Sequence, residues 1–519
     1  MTHTVRLPKG WASTLLGSVF SWGSGGTPRR GTPAYYNGDI PWAIIGDLSD
    51  GTVNETATCI TERGLNESSA KWVKPDSVLI AMYGSIGKLG INSIPLTTNQ
   101  AIAFTKPDPI PTKYLFYYLM RERSALVGLG KGGTQRNISQ TVIKAFPFVV
   151  APLSEQHRIV EAIESYLTRL DDAVASLERV QRNLERYRAS VLKAAVEGRL
   201  VPAEAELARE EGRSYEPADV LLERILAERK VRWIEDAAEK ARANAEAKAG
   251  KAGKPWTPED DTKALAKARK AAEAKYKEPA APETTDLPTL PEGWCWSTVE
   301  QTAIVTGGIT KNAKRTAFPL QVPYLRVANV YADELRLDDV REIGVTDDEF
   351  TRTQLQPGDM LVVEGNGSVE QIGRVALWNG EVAGCSHQNH LIRARFVHKQ
   401  IVRWALQWLL SRGGRIHVQR VASSTSGLHT LSISKVSALP VPLPPLAESL
   451  RLIAEIDRQS SLASDLDRTL EASLARMQRL RQSVLKWAFE GKLVEQDPND
   501  EPASLLLERI RSEIASAKQ

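Results

Sequence analysis

The chain has 519 residues, a formal net charge of +4 and 42% apolar residues. At ~150 residues per domain that is room for about three or four domain-sized pieces, with ordinary globular composition and too little net charge to identify a partner. Neither a disulfide framework nor a transmembrane helix is expected: Cys59, Cys295 and Cys385 lie far apart without metal-ligand spacing, and no apolar run reaches the ~18 residues of a membrane-spanning helix. Met1 to Gly10 lacks the apolar core of a signal peptide, so the cytoplasm is the simplest compartment.

In chain order, residues 1–152 predict a mixed domain of short strands. Gly, Pro and Asn punctuate brief apolar runs such as Val78-Leu79-Ile80-Ala81 and Phe146-Pro147-Phe148-Val149-Val150, and one helix is expected over Thr112–Leu126. Residues 153–202 predict a long helix. Its seam of Ile159, Ile163, Tyr166, Leu170, Ala173, Leu177, Val180, Leu184, Tyr187 and Val191 is spaced 4-3-4-3 throughout, the heptad pattern of a coiled coil. Residues 203–287 form a charged linker rich in Ala, Glu, Lys and Arg. Helical patches at Ala218–Ala247 and Asp261–Lys275 are broken by Gly250, Gly253, Pro255 and Pro258. A solvated helical connection is the plain reading, with its first part docking on the long helices or on a partner subunit.

Residues 288–445 repeat the plan of the first domain, with a helix near Lys399–Leu410. Residues 446–519 hold a second long helix, with seam residues Leu452, Ile456, Gln459, Ala463, Leu466, Leu470, Ser473, Met477, Leu480 and Val484, and a C-terminal helix. Two of these slots are polar. Gly198 and Gly491 stand where the seams run out, as C-cap glycines do.

The likeness of the two halves is literal. Ser190–Val201 and Ser483–Val494 are identical at nine of twelve positions. Leu7-Pro8-Lys9-Gly10-Trp11 returns as Leu290-Pro291-Glu292-Gly293-Trp294, Pro152-Leu153-Ser154-Glu155 as Pro445-Leu446-Ala447-Glu448, and Leu221–Ile225 as Leu506–Ile510. The order is collinear, and the unit is far longer than the roughly 20–50 residues of a solenoid repeat. The sequence therefore predicts an α+β protein: two mixed α/β domains and two long coiled-coil helices, related by a pseudo-two-fold axis. Each helix has one seam to bury, and the simplest cover is the other helix, antiparallel, with a domain at either end of the pair.

Catalytic spacing is missing. Gly128-Leu129-Gly130-Lys131-Gly132-Gly133 fits G-x-G-x-x-G but follows a helix, where a dinucleotide turn needs a strand before it. Gly87-Lys88 lacks the upstream glycine of a P-loop. His387 and His390 form H-x-x-H beside Cys385 without a counterpart in the first half, a pattern more often structural than metal-binding.

Charge is more telling. No Asp or Glu occurs from Val382 to Ala447, a stretch holding Arg393, Arg395, Lys399, Arg403, Arg412, Arg415, Arg420 and Lys435. In the first half Lys113, Arg121, Arg123, Lys131, Arg136 and Lys144 face the single acid Glu122. Basic, acid-free spans at equivalent places fit an electrostatic footprint for phosphates. Each contains a loop of small hydrogen-bonding residues: Lys131, Gly132, Gly133, Thr134, Gln135, Arg136 and Asn137 in one, Ser423, Ser424, Thr425, Ser426, Gly427, Leu428 and His429 in the other. Gln, Asn and Arg suit base edges, while Ser, Thr and backbone N–H groups suit phosphates; an ordinary surface turn is the alternative. A second pair, Gly84-Ser85-Ile86-Gly87-Lys88 and Gly365-Asn366-Gly367-Ser368, offers Ser85 and Lys88 as further contacts or is a pair of tight strand turns.

With these features the chain resembles the DNA-specificity subunits of type I restriction–modification systems over its whole length. The marks are Leu7–Trp11 with Gly25-Gly26-Thr27-Pro28, Pro152-Leu153-Ser154-Glu155-Gln156 opening the helix, and Glu197-Gly198-Arg199-Leu200-Val201 ending it. The second copy departs at Gly308-Ile309-Thr310 and Ala447-Glu448-Ser449. The resemblance implies two target-recognition domains, each reading half of a bipartite asymmetric DNA site, with the helices fixing the gap. It implies two adenine methyltransferase subunits on the helices, carrying S-adenosylmethionine, with a restriction–translocation subunit joining them in some assemblies. The chain itself would be non-catalytic, with no cofactor and no metal. The candidate DNA contacts are then the two loops, Ser85 and Lys88, and Arg412, Arg415 and Arg420. The rival from another class is a coiled-coil adaptor joining two proteins; a sequence-nonspecific nuclease or helicase accessory is a weaker third.

Overall fold

The structure, a computed structural model, describes residues 7–131, 136–366, 368, 370–425 and 428–516, with the backbone alone at 366, 423–425 and 428. The chain divides into two compact units, Met1–Gln181 with Arg468–Gln519, and Arg182–Asp467.

In the first unit the strand Val78–Ala81 is buried at every position, as a short run without polar alternation should be when both faces are covered. It lies between Ile102–Thr105 and Leu89–Asn92, antiparallel to both, in a five-stranded sheet edged by Gly23–Ser24 and Gly51–Val53. A four-stranded sheet is built around Tyr36–Ala43, and Ala12–Leu15 pairs with Pro147–Val150. The expected single helix over Thr112–Leu126 is two, Thr112–Arg121 and Arg123–Gly128, parted at Glu122. Tyr114 and Tyr118 meet Phe148 and Phe489 edge-on with centroids 5.0–6.1 Å apart, a favoured geometry for aromatic pairs.

The second unit repeats this plan. Cys295–Thr298 pairs with Pro440–Leu443, and a four-stranded sheet runs Ala303–Gly307, Leu391–Phe396, Asp359–Val363, Val375–Trp378. The expected helix near Lys399–Leu410 is a 3-10 turn, Lys399–Ile401, continuing into Val402–Leu410. A further helix, Arg412–Val421, follows, with Gly413 and Gly414, residues of low helix propensity, in its first turn.

The long helices are Leu153–Val196 and Leu446–Ala488, 44 and 43 residues, each roughly 65 Å at ~1.5 Å per residue. Within each unit they run antiparallel. In the first, Asp171 pairs with Arg481, while Ile159 and Ile163 share a core with Val484, Leu485 and Ala488. In the second, Arg188 pairs with Asp467, and Ala195 packs with Leu452 and Ile456. The seam is not covered throughout: Tyr166, Val180, Tyr187 and Leu466 are 42–52% exposed. The polar slots explain one of these, because the Tyr187 hydroxyl donates to Gln459 rather than burying against a leucine.

The repeated motifs close on each other. Trp11 Nε1–H donates to Glu155 at 3.0 Å, and Trp294 Nε1–H to Glu448 at 2.9 Å. The glycine ending each long helix packs on the opening proline of the other copy. A Cβ on Gly198 would lie 2.5 Å from Pro291, and one on Gly491 2.4 Å from Pro8. Both glycines are left-handed, at φ +67 and +65. The repeated twelve-residue segment thus marks a junction where neither a Cβ nor another backbone sign fits.

The linker forms two helices, Ala218–Lys251 and Pro258–Lys275, joined side by side by Arg269–Glu235 and Arg242–Asp261 ion pairs. Its start, through Ala218, Leu221 and Ile225, enters the core of the second globular domain, where Val196 and Leu446 of the long helices also pack. Ala503, Leu506, Leu507 and Ile510 of the C-terminal helix do the same in the first unit. Both begin with the same bond, Ala218 N–H to Gly293 O at 2.8 Å and Ala503 N–H to Gly10 O at 2.9 Å. The reason is the 3-4 spacing of their apolar residues, which makes one stripe fitted to an apolar domain face.

Candidate nucleic-acid interface

In the first unit the chain leaves the buried strand Val78–Ala81 through Tyr83 into the turn Gly84–Gly87, where Gly84 and Gly87 are left-handed at φ +65 and +76. The basic loop returns beside it. Tyr83 forms an antiparallel bridge with Asn137, which in turn bridges Lys131. Lys131 N–H donates to Asn137 O at 3.0 Å and Asn137 N–H to Lys131 O at 2.9 Å. Lys131, Arg136, Asn137 and Ser85 are exposed, and so is Tyr83, at 38%. Gly132, Gly133, Thr134 and Gln135 lie outside the described residues.

The second unit builds the same arrangement. Asp359–Val363 leads through Glu364 into Gly365–Asn366, which pairs with Leu428–Thr430, which pairs with Ser423–Thr425. His429 lies opposite Asn366 and Ser424 in this three-stranded sheet. Ser423, Ser424 and Thr425 are therefore a strand, not an open loop; Ser426 and Gly427 lie outside the described residues. The two candidate pairs, separate in the sequence, form one surface in each unit.

The remaining cations divide. Arg412 is exposed in the first turn of Arg412–Val421, whose N-cap Ser411 Oγ accepts from Gly414 N–H at 3.1 Å. A cation there opposes the helix dipole, so an anion at this end would be doubly favoured. Arg415 is half-buried and turned inward. Its guanidinium donates to Gly373 O at 3.2 Å and Glu370 O at 3.0 Å, stapling that loop, and burial lowers its pKa. Arg420 is exposed but paired with Asp286 at 2.8 Å. Lys88 sends its ammonium to Ile45 O at 3.3 Å. Of these four, Arg412 is the one whose charge faces water without a carboxylate or carbonyl partner among the described residues.

The H-x-x-H pair splits. His387 is fully buried, shares a hydrogen bond with Thr353 O at 3.0 Å, and burial lowers its pKa to about 3. His390 faces outward, its Nδ1–H donating to Glu364 at 2.8 Å. Among the described residues no group of three or more His, Cys, Asp or Glu could hold a metal. All three cysteines are free, and burial pushes the Cys295 and Cys385 thiols up to about 12. A cleft of about 1010 Å³ lies in the first unit between Phe116, Met120, Leu167 and Leu485, with ion pairs at its rim. It carries no nucleophile–base pair of the kind catalysis needs.

Sequence reasoning missed Tyr83 and Glu364. The signal was their place immediately before the glycine turns, where a strand leaves the core.

A family model described as the type I restriction modification DNA specificity domain matches residues 8–185. Among curated proteins, the EcoKI specificity subunit of Escherichia coli K12 is 22% identical over 99% of this chain and 97% of its own length. The StySPI specificity subunit of Salmonella potsdam is 22% identical over 98% and 96%. Among solved structures, a chain from work on complex assembly and conformational transition of the type I R-M system superposes with TM-score 0.61 at 15% identity, covering 94% of this chain and 99% of that one. The HsdS subunit of Thermoanaerobacter tengcongensis superposes with TM-score 0.51 at 13% identity, covering 94% and 99%. At such identities the superpositions speak to the fold.

Proposed function

We propose that the chain is a type I restriction–modification DNA-specificity subunit, a reading supported by the family model over residues 8–185 and by relatives similar over the whole length, and that each unit reads one half of a bipartite, asymmetric DNA site. The observation that carries this is the paired surface. In each unit a turn leaving a buried central strand is bridged to a loop from a nearly acid-free basic stretch. Lys131, Arg136 and Arg412 are placed for phosphates, which fix position without reading sequence. Tyr83, Ser85, Asn137 and His429 suit base edges, and Gly132, Gly133, Thr134, Gln135 and Ser426, outside the described residues, are proposed as further contacts. Arg415 holds the neighbouring turn through the carbonyls of Glu370 and Gly373, and Arg420 pairs with Asp286. The units share a frame but differ at these positions, which is what reading two different half-sites requires.

The chain is a non-catalytic specificity subunit. Two DNA adenine methyltransferase subunits bind its helical regions and bring S-adenosylmethionine, a restriction subunit joins them where the system has one, and the helix pair sets the gap. The chain binds no cofactor of its own and works in the cytoplasm. No helix among the described residues is long and apolar enough to cross a membrane. The coiled-coil adaptor is less well supported, since it gives no reason for two matched basic surfaces. Mapping N6-methyladenine in host DNA with and without this chain is the test. A two-part motif that vanishes with the chain is expected; methylation independent of it would refute the reading.

A further inference from the structure

The backbone frame of the two reading surfaces can be aligned bond by bond. In the first unit Met82 N–H donates to Ala101 O at 2.8 Å, and Met82 O accepts from Ile138 N–H at 2.9 Å. In the second, Glu364 N–H donates to His390 O at 2.9 Å, and Glu364 O accepts from Leu431 N–H at 2.7 Å. Met82 therefore corresponds to Glu364, and Ala101 to His390. The first pair is apolar and closed, 3% and 6% exposed. The second is a hydrogen-bonded Glu364–His390 pair open to solvent, with side chains 29% and 56% exposed and Nδ1 2.8 Å from the carboxylate.

A carboxylate is an odd group to place beside DNA phosphates. Folding gives no reason for it here, because the same frame closes in the first unit with methionine and alanine. The segments that meet Glu364, at His390 and at Leu428–Leu431, lie in the acid-free span. An ionised carboxylate has about four lone-pair sites and no donor. His390 takes one and fixes the carboxylate in place. What remains is acceptor capacity open to solvent at the reading surface. Among groups on a major-groove edge, the exocyclic amine of cytosine is the donor matched to a carboxylate.

We propose that Glu364, held by His390, is a specificity-determining residue that accepts a hydrogen bond from the N4 amino group of a cytosine in the half-site read by the second unit. This rests on the DNA-reading function proposed above. It makes the second half-site depend on a G·C pair at one position, through a contact the first unit cannot make.

The test uses the full chain assembled with its methyltransferase subunits, with the methylated motif mapped for wild type and three variants. Glu364→Ala is expected to relax one G·C position by roughly 10- to 100-fold, leaving the other half-site and the gap unchanged. Glu364→Gln keeps an acceptor for His390 and so keeps the local fold. Its amide matches adenine N6 and N7, so the same position should move from cytosine toward adenine. His390→Ala should relax that position less than Glu364→Ala. An unchanged motif in Glu364→Gln overturns the proposal, as does relaxation confined to an A·T position. Failure of the underlying function is read from the wild-type arm alone, as absence of any two-part motif, and it takes this inference with it.

Discussion

Two arginines three residues apart have opposite tasks. Arg412 faces water, and Arg415 holds the carbonyls of Glu370 and Gly373. Arg412→Ala is expected to leave the melting temperature unchanged and to lower the salt slope of DNA binding by about one contact. Arg415→Ala should destabilise the second unit by roughly 1–3 kcal/mol, since it strands two carbonyls. Equal effects of the two variants on the salt slope would contradict this division. Nothing in the sequence separates these residues, because both sit in one basic run and the partners of Arg415 lie more than forty positions away. A second residue carries a pH signature. Glu349 accepts both arms of the Arg315 guanidinium at 2.9 Å, together with the Thr346 N–H, and these hold its pKa near 2. A carboxyl lowered from 4.5 contributes stability that is complete above 4.5 and lost as pH falls toward 2. Glu349→Gln should lower the melting temperature at pH 7 by an amount worth about 1–2 kcal/mol after solvent screening. The difference from wild type should shrink as pH falls from 5 to 2; a constant difference would mean that the pair is idle.

At the scale of elements, the helices were legible because periodicity is local. The 4-3 spacing alone sets their length and which side is buried, and their bounds fall within a few residues of the expected ones. Less legible was what covers the seam, since burial depends on the facing chain: Val180 and Leu466 look like core residues yet are about half exposed. The interface was legible as charge and as two separate glycine-rich turns. Their union through Tyr83–Asn137 and Gly365–Thr430 was not, because a bridge between distant strands leaves no mark on either sequence. The helix pair carries its own test. Deleting Leu170–Ser176 and Ala463–Thr469 removes one heptad from each helix and keeps the seam in phase. It shortens the pair by about 10 Å, roughly three base pairs at ~3.4 Å each, and shifts the groove by about a third of a turn. Either a motif with a shorter gap or loss of methylation is expected. Undiminished methylation at the original gap would show that the helices do not set it.

For the whole molecule, the duplication does more than supply two reading heads. Each copy's helix end seats on the other copy's opening motif, Gly491 on Pro8 and Gly198 on Pro291. The first unit therefore includes Arg468–Gln519. Its core takes in Ala503, Leu506, Leu507 and Ile510, each Leu or Ile contributing roughly 1.5–3 kcal/mol. Truncation before Glu495 is expected to remove most of the ~5–15 kcal/mol by which such a unit is stable. Limited proteolysis should then cut within residues 7–150 and spare residues 288–445. Equal resistance of both regions would count against this account.

That arrangement also orders events during synthesis. The second unit has all of its residues once Asp467 has left the ribosome, whereas the first must wait for the C-terminal helix. Nearly three hundred residues separate Gln181 from Arg468, which at ~5–20 residues per second is roughly 15–60 s. Throughout that interval Tyr114, Tyr118 and Phe148 lack Phe489 and the C-terminal helix that cover them. The domain made first is thus the last to be finished, and a nascent chain stalled before its end carries an open aromatic core for chaperones and proteases to find.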